Sequence, residues 1–575
     1  MFSQLSVFRG GFTPESARRV TNVEEPSLTL LAALVRKSFL QYDQRVDRYQ
    51  IHELLRQYGA EKLAQEPAHE AEIRDRHSLH FCAWLGLRGT HLRSSGQKAA
   101  LTEIGLELEN VRAACLWAAA HRRPDRVNEA IYALGIYYRF HGALETGQAT
   151  LSAIEDRLCA APALSPGTEV GVQLAIARIT VWRSVFASLL ADTSGSIQLA
   201  RRSLEILDSD PLAEQDTRSE RAIIYLELGY SARDTDPQEA RWQFERSKRL
   251  YHEVGDQAGV ADAWEALGRA ARNLRDWSAA EHAVSESLRL RRDLGDKAGT
   301  AASMGLLGHI MLWQGDFAAS EDWLRQSMAE SRDDSSLYLS QALLLSGRFE
   351  EARRSAEVGA SLYLDIGQRR ELAYCLVVQG QCHQHLGSYE SARVKAEEAL
   401  AMARAVDFPR GIGMSLGLLG ALALAEASYE KARDRCAESL AVWQQSAGHA
   451  SEFEGEQVCL GLAARGMGNR QKAQEHIRSQ LVWAGESQML MPALYGLVGI
   501  SLLLADEGEA ERAIELYDLA SRYPYVANSR WFVEVAGNQI TEASTILPVA
   551  GASAATDRGR TGRLAAIIGE LSTGK

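Results

Sequence analysis

Proline occupies only 12 of the 575 positions and cysteine only seven. So few prolines leave long stretches open to uninterrupted helix. The cysteines (Cys82, Cys115, Cys159, Cys375, Cys382, Cys436 and Cys459) form no CxxC pair and no regular framework. That excludes a disulfide scaffold and implies a reducing, cytoplasmic setting. The first residues, MFSQLSVFRGGF, have no charged segment leading into an apolar core, so they do not read as a signal peptide. The longest uncharged run, Ser487 to Ala505, contains Gln488, Pro492 and Ser501 and reads as a buried helix, not a membrane span. Positive charge is also in deficit, with a net charge of −12, which argues against nucleic-acid binding as the main task. The nucleotide loop G-x-x-x-x-G-K-[ST] is absent, and the only Gly-Lys pair is Gly574-Lys575. Without the amides and lysine of that loop the chain has no cradle for a triphosphate.

The composition favours helix: 46% of residues are hydrophobic, and Ala, Leu, Glu and Arg dominate. A repeat is visible when segments are aligned on a small residue that follows an apolar run. The anchors are Gly229, Gly268, Gly308, Ser340, Gly380, Gly420, Gly461 and Ser501, spaced 39, 40, 32, 40, 40, 41 and 40 residues apart. Nine residues after an anchor come Trp277, Phe317, Phe349, Tyr389 and Tyr429. Twelve residues after come Ala280, Ser320, Ala352, Ala392, Ala432, Ala473 and Ala513, while Gly229 is one out of step with Ala240. Divergent units anchor at Gly135 and Ser184, giving about ten helix pairs. The spacing predicts that a small anchor on one helix meets the small residue on its partner, with the aromatic packing the turn. Leu294-Gly295-Asp296 and Val254-Gly255-Asp256 read as glycine helix ends. The short Gly308 to Ser340 unit, with Asp333-Asp334-Ser335-Ser336 in place of a longer linker, predicts a local change of curvature.

This pattern resembles the tetratricopeptide repeat (TPR) family in a form with a period near forty. The resemblance implies an all-α fold: a TPR-like right-handed α-solenoid over residues 130–522. A tail at 523–575 follows, with a Gly/Ala/Ser-rich linker at Val549–Ala555 and a helix at Arg563–Leu571.

Residues 1–65 have a different pattern. Thr13 and Pro14 start a helix, LTLLAALVRKSFL continues helical, Tyr42 to Asp47 suits a hairpin tip, Tyr49-Gln50-Ile51 alternates, and His52 to Leu63 is helical. The order LSVFRGGF, LTLLAALVRKSFL and RYQIHELLRQYGAEKL resembles the winged-helix segment of STAND-type signalling ATPases, the NB-ARC regulators and their relatives. Residues 66–129, with Asp75–Leu85 and Leu106–Ala118, are similar to the helical connector that follows in that family. The resemblance implies the back half of such a protein, without its P-loop NTPase domain. The family's Met-His-Asp motif falls on Ile51-His52-Glu53, which makes His52 a nucleotide-sensor candidate. ADP or ATP would then enter only with a separate NTPase domain as partner; this chain alone implies no cofactor.

No catalytic constellation emerges, so an enzyme is not expected. Gly413-Met-Ser-Leu-Gly417 matches G-x-S-x-G but lies within a helical repeat, and Cys382-His-Gln-His385 cannot aim three ligands at one metal from one helix. The function implied is a non-catalytic protein–protein interaction scaffold, with DNA binding through the winged helix as the alternative. The first 65 residues carry nine Arg and Lys against seven Asp and Glu, a net of +2, weak for DNA. The concave groove implied by the repeat is expected at Tyr230, Arg233, Arg269, Arg272, Asn273, His309, Trp313, Gln381, Gln384 and His385, with Ala421, Leu424 and Ala425 as an apolar stretch. Guanidinium groups there suit an acidic protein or peptide ligand.

Overall fold

A computed structural model describes residues 1–22, 27–160, 166–190, 192–233, 235–330, 335–365, 368–445, 455–487 and 489–573. The described chain is helical apart from one two-stranded hairpin and one isolated bridge. It divides into two compact units, Met1–Thr300 and Ala301–Lys575, and the division falls inside the helix Lys297–Gln314. That position is not among the boundaries expected from the sequence. Asp333-Asp334 and Gly574-Lys575 lie outside the described residues.

The first unit begins with short helices and the hairpin of β1 (Gln41–Asp43) and β2 (Arg48–Gln50), paired Gln41 to Gln50, Tyr42 to Tyr49 and Asp43 to Arg48. Phe12 adds a bridge, exchanging backbone bonds of 2.9 and 2.8 Å with Tyr49. Thr13 caps the helix Pro14–Thr21 through the Ser16 amide, as its sequence predicts. Two long helices follow, Pro67–Gly86 and Gln97–Ala120. Asn110 ties them to the N-terminal segment: its amide donates to Gly11 O at 2.8 Å and its oxygen accepts from Arg9 N at 2.6 Å. The buried Arg48–Glu107 pair lies beside it. Arg126, in the first repeat helix, makes two 2.8 Å bonds to Asp75. These buried polar contacts explain why segment, connector and first repeats form one unit: separating them would strand paired charges.

Helix pairs make up the rest. In the first unit they run from Pro124–His141 with Leu144–Ala160 to Gln257–Asn273 with Trp277–Leu294. In the second they continue to Leu490–Asp506 with Ala510–Ala520. Within each unit the first helices of successive pairs pack on one another and form an inner layer. The pair contact is the one the anchors predict. A Cβ on Gly268 would lie 3.3 Å from Ala280 O, on Gly308 3.1 Å from Ser320 O, on Gly380 3.3 Å from Ala392 O, and on Gly420 3.4 Å from Ala432 O. Where the anchor is Ser184, its hydroxyl donates instead to Ser196 O at 2.9 Å.

Turn chemistry repeats at half that period. Gly255 and Gly295 end their helices in the left-handed region, at φ 77° and 67°. Asp236, Asp256, Asp276, Asp296 and Asp316 then cap the helices that follow, each accepting an amide three residues on at 2.9–3.1 Å. A twenty-residue interval between caps makes the two helices of a unit equal in length.

The expected tail is folded. Val549–Thr561 is a helix where a linker is expected: its alanines favour helix, and Ala555 and Gly559 are buried against the helix Ala510–Ala520. Leu564–Thr573 packs on Arg470–Ser487. Among the described residues one helix, Gly167–Leu189, is apolar and long enough to cross a membrane; 67% of its most apolar window is buried in the protein.

Gly380→Leu should destabilise the protein by roughly 1–3 kcal/mol, because a Cβ there already meets Leu418 Cδ2 at 2.7 Å. Loss of hydrogen-exchange protection should centre on the pairs flanking Arg369–His385. An unchanged melting temperature would show that the backbone contact has room to spare.

Candidate functional site

Five of the expected groove residues come together in the first unit. Tyr230 and Arg233 lie at the end of the inner helix Arg218–Ala232, and Arg269, Arg272 and Asn273 at the end of the next, Gln257–Asn273. Asn273 donates to Arg233 O at 3.4 Å, which joins the two helix ends, and Arg272 donates to Asn273 Oδ1 at 3.1 Å. Arg233, Arg269 and Arg272 are half-buried and Asn273 is exposed. The Tyr230 ring lies edge-on to Phe244 at 5.3 Å.

Arg269 belongs to a charge network that the sequence analysis missed. It pairs with Glu265 at 2.8 Å; Glu265 also pairs with Arg291, which reaches Asp262 at 3.0 Å. Asp262 pairs in turn with Arg93, carried by the short turn Gly89–Arg93 between the connector helices. Burial pushes both carboxyls up, but Arg93 and Arg291 beside Asp262, and Arg291 and Arg269 beside Glu265, outweigh it and hold both at about 2. Arg93 stands 169 residues from Asp262, so no local pattern announces the pairing. Glu227 lies on the same inner layer without such compensation. Burial pushes its carboxyl up to about 7, against the opposing pull of Arg139 and a bond from Ser188.

The other five expected residues lie in the second unit. Trp313 Nε1 donates to His309 Nε2 at 2.8 Å, and the His309 ring stands 4.3 Å from Tyr338. Gln381 is half-buried, and Gln384 and His385 are buried. His385 does not face an open groove. Its Nδ1 lies 2.7 Å from Ser529 Oγ, its Nε2 3.0 Å from the Tyr525 hydroxyl, and its ring stacks on Phe349 at 4.6 Å. Ser529 and Tyr525 belong to the segment after the last pair, which folds back onto the inner helices. Trp531 Nε1 of that segment donates to Ala421 O at 2.8 Å, and Tyr389 donates to Glu534 at 2.5 Å. The apolar stretch around Ala421 is therefore covered by the chain itself.

His52 is exposed and caps the helix Glu53–Ala64, its Nδ1 accepting the Leu54 amide at 3.4 Å. Glu53 beside it bonds Arg56 at 2.7 and 2.8 Å. Those bonds, with one from Gln57, hold its carboxyl at about 2. Among the described residues no group of His, Cys, Asp and Glu could hold a metal ion. Gly413 and Gly417 serve packing: a Cβ would meet Trp443 at 2.7 Å on the first and Glu456 Oε1 at 2.7 Å on the second. All seven cysteines are free thiols, including Cys82 and Cys115 with sulfurs 3.9 Å apart.

No family model matches the chain, and no curated protein matches it. Similar solved structures include a Signal Transduction ATPase with Numerous Domains (STAND) protein with a tetratricopeptide repeat sensor from Pyrococcus horikoshii. It is 12% identical over 85% of this chain, with a TM-score of 0.42, and the match spans 63% of that protein's length. A Rap protein complexed with Competence and Sporulation Factor is 11% identical, covering 64% of this chain and 99% of its own, with a TM-score of 0.39. The Rap conjugation gene regulator of plasmid pLS20, in complex with the Phr* peptide, is 12% identical, covering 70% and 97%, with a TM-score of 0.39.

Glu227 gives a pH test of the first unit's inner layer. Its carboxyl is raised in the folded state, so its contribution is fully present below the ordinary carboxylate range and is lost as pH rises through about 7. Glu227→Gln should therefore match wild type near pH 4 and exceed it by about 1–3 kcal/mol near pH 8 in denaturant unfolding. A difference that does not change with pH would show that Glu227 ionises as easily folded as unfolded.

Proposed function

We propose that this chain is a non-catalytic partner-binding scaffold, the sensor half of a STAND-like signalling or transcription-regulating protein. In this reading residues 1–65 are a winged-helix-like lever, 66–129 its connector and 130–522 the TPR-like array, with 523–575 packed back on it. The observation that carries the reading is the row formed by Arg233, Arg272 and Asn273 across two successive inner-helix ends. The Arg272 guanidinium, half-buried and bonded to the Asn273 amide oxygen, and the half-buried Arg233, whose backbone carbonyl accepts from the same amide, suit carboxylates, so the partner is an acidic protein or peptide segment. Arg269 is a poor place to test this. Reversing its charge would set two carboxylates together at Glu265 and disturb the fold.

The informative variant is Arg233→Glu with Arg272→Glu. A fluorescent Glu-rich peptide should bind the wild-type chain with an affinity that falls as salt rises, and the double variant should bind at least about 10-fold more weakly. Equal anisotropy titrations for both proteins, with both folded by circular dichroism, would remove the row from the binding surface.

The exposed His52 is the proposed contact to a phosphate of ADP held by a separate NTPase domain. With such a domain supplied, His52→Ala should speed ADP release. An unchanged release rate in a stopped-flow chase would leave His52 as a helix cap and nothing more.

A further inference from the structure

Beside the folded-back segment, the inner layer of the second unit keeps a cavity of about 60 Å³. One water takes about 10–15 Å³ of such space, so the cavity suits on the order of five non-hydrogen atoms. Half-buried Trp313, Gln381 and Arg410 form part of its wall and connect it to the exterior. Tyr495 lines it too, and its hydroxyl stands 3.3 Å from that of Tyr525 in the folded-back segment.

The walls are polar where a core would be apolar. Gln384 is 3% exposed and Gln341 6%, and both line the cavity. Gln384 Nε2 and Gln341 Oε1 have no hydrogen-bond partner among the described residues. A buried amide left unpaired is costly, so natural cores rarely keep one without a solvent or ligand partner. The cavity also holds one acid and one base. Glu456 is buried, with Oε1 3.2 Å from Ser439 Oγ and Oε2 accepting the Gly455 amide at 3.3 Å. Gly417 leaves room for this carboxylate, since a Cβ there would lie 2.7 Å from Oε1. Arg410 is held over the Tyr374 ring at 4.7 Å and donates to its hydroxyl at 3.0 Å.

One unpaired donor, one unpaired acceptor, one cation and one acid around a space of this size are complementary to a small zwitterion. We propose that the cavity binds a free amino acid with a short side chain. Its carboxylate accepts from Gln384 Nε2 and Arg410, and its ammonium donates to Gln341 Oε1 and Glu456. Trp313 and Trp443 wall the site and limit the side chain. The terminus of a peptide offers half of the same chemistry, but a space for about five non-hydrogen atoms is smaller than two residues. This inference is independent of the acidic partner, whose proposed contacts lie in the first unit.

The test uses the purified full chain and a panel of free amino acids, with N-acetyl and methyl-ester derivatives and short peptides as separate arms. At least one of glycine, alanine and serine at about 10 mM should raise the melting temperature and bind by calorimetry. Capping either end should weaken that binding by about 10-fold or more, as loss of a charged hydrogen bond does. Gln384→Leu should abolish the response without lowering the melting temperature of the unliganded protein, and Arg410→Met should weaken binding by about 10-fold. The charge-reversed Arg233 and Arg272 variant should respond as wild type. Three results would each overturn the proposal: no response to any free amino acid (the amides then hold water only), equal binding of capped derivatives, or a response that survives both Gln384→Leu and Arg410→Met. Should Gln384→Leu fail to fold, Arg410→Met and the capped arms decide alone.

Discussion

Everything regular in this protein depends on one contact: a backbone-to-backbone approach between the two helices of each pair. The side chain is missing at the anchor, so the facing carbonyl comes within 3.1–3.4 Å of where a Cβ would stand at Gly268, Gly308, Gly380, Gly420 and Gly461. Such an approach fixes the register of the two helices, since sliding either by one residue brings a larger side chain into the gap. A second polar contact lies seven residues beyond the small partner. Ser203, Ser287, Ser327 and Ser439 are buried and donate to carbonyls of the first helix 26 residues back, at 2.7–3.0 Å. Each buried hydroxyl is satisfied, and each pins the pair at a second level. The periodic Asp caps follow from the same constraint, because a fixed crossing point needs fixed helix lengths on both sides of it.

How much of this was legible follows from sequence distance. The anchors, the small residue twelve later, the glycine stops and the Thr13 cap are local features and stand where the sequence reading puts them. The serines nineteen after an anchor were equally periodic, at Ser203, Ser287, Ser327 and Ser439. A polar residue in an amphipathic pattern reads as surface, so this period carries no sign of burial. The contacts that decide which inner residues are accessible were not legible. Arg93 with Asp262 spans 169 residues and His385 with Ser529 spans 144, and neither partner carries a motif. The Gly/Ala/Ser-rich stretch after Val549 misled for a different reason. Small residues signal a linker when exposed and a close helix contact when buried, and composition alone cannot separate the two.

In the first unit the consequence is a buried network of arginines and acids where an open charged groove would be expected. Such networks add little net stability over apolar packing, but removing one member leaves its partner stranded. Their effect is therefore to specify an arrangement. Arg93 is held where the buried Asp262 carboxyl, kept at about 2, requires a cation, and the connector turn is held with it. Glu227, on the same layer with burial pushing it up to about 7, shows what the carboxyls would become without those arginines.

The second unit applies the same accounting to neutral groups. Gln384 and His385 are adjacent on one helix, both nearly inaccessible, and both read from sequence as groove residues. His385 has each ring nitrogen within hydrogen-bond distance of the folded-back segment, so its polarity is spent inside the chain. Gln384 has an amide nitrogen with no partner among the described residues. Burial does not distinguish the two residues, and neither does residue type. What distinguishes them is whether the chain itself supplies the second half of the hydrogen bond, and an inner surface is a binding surface only where it does not.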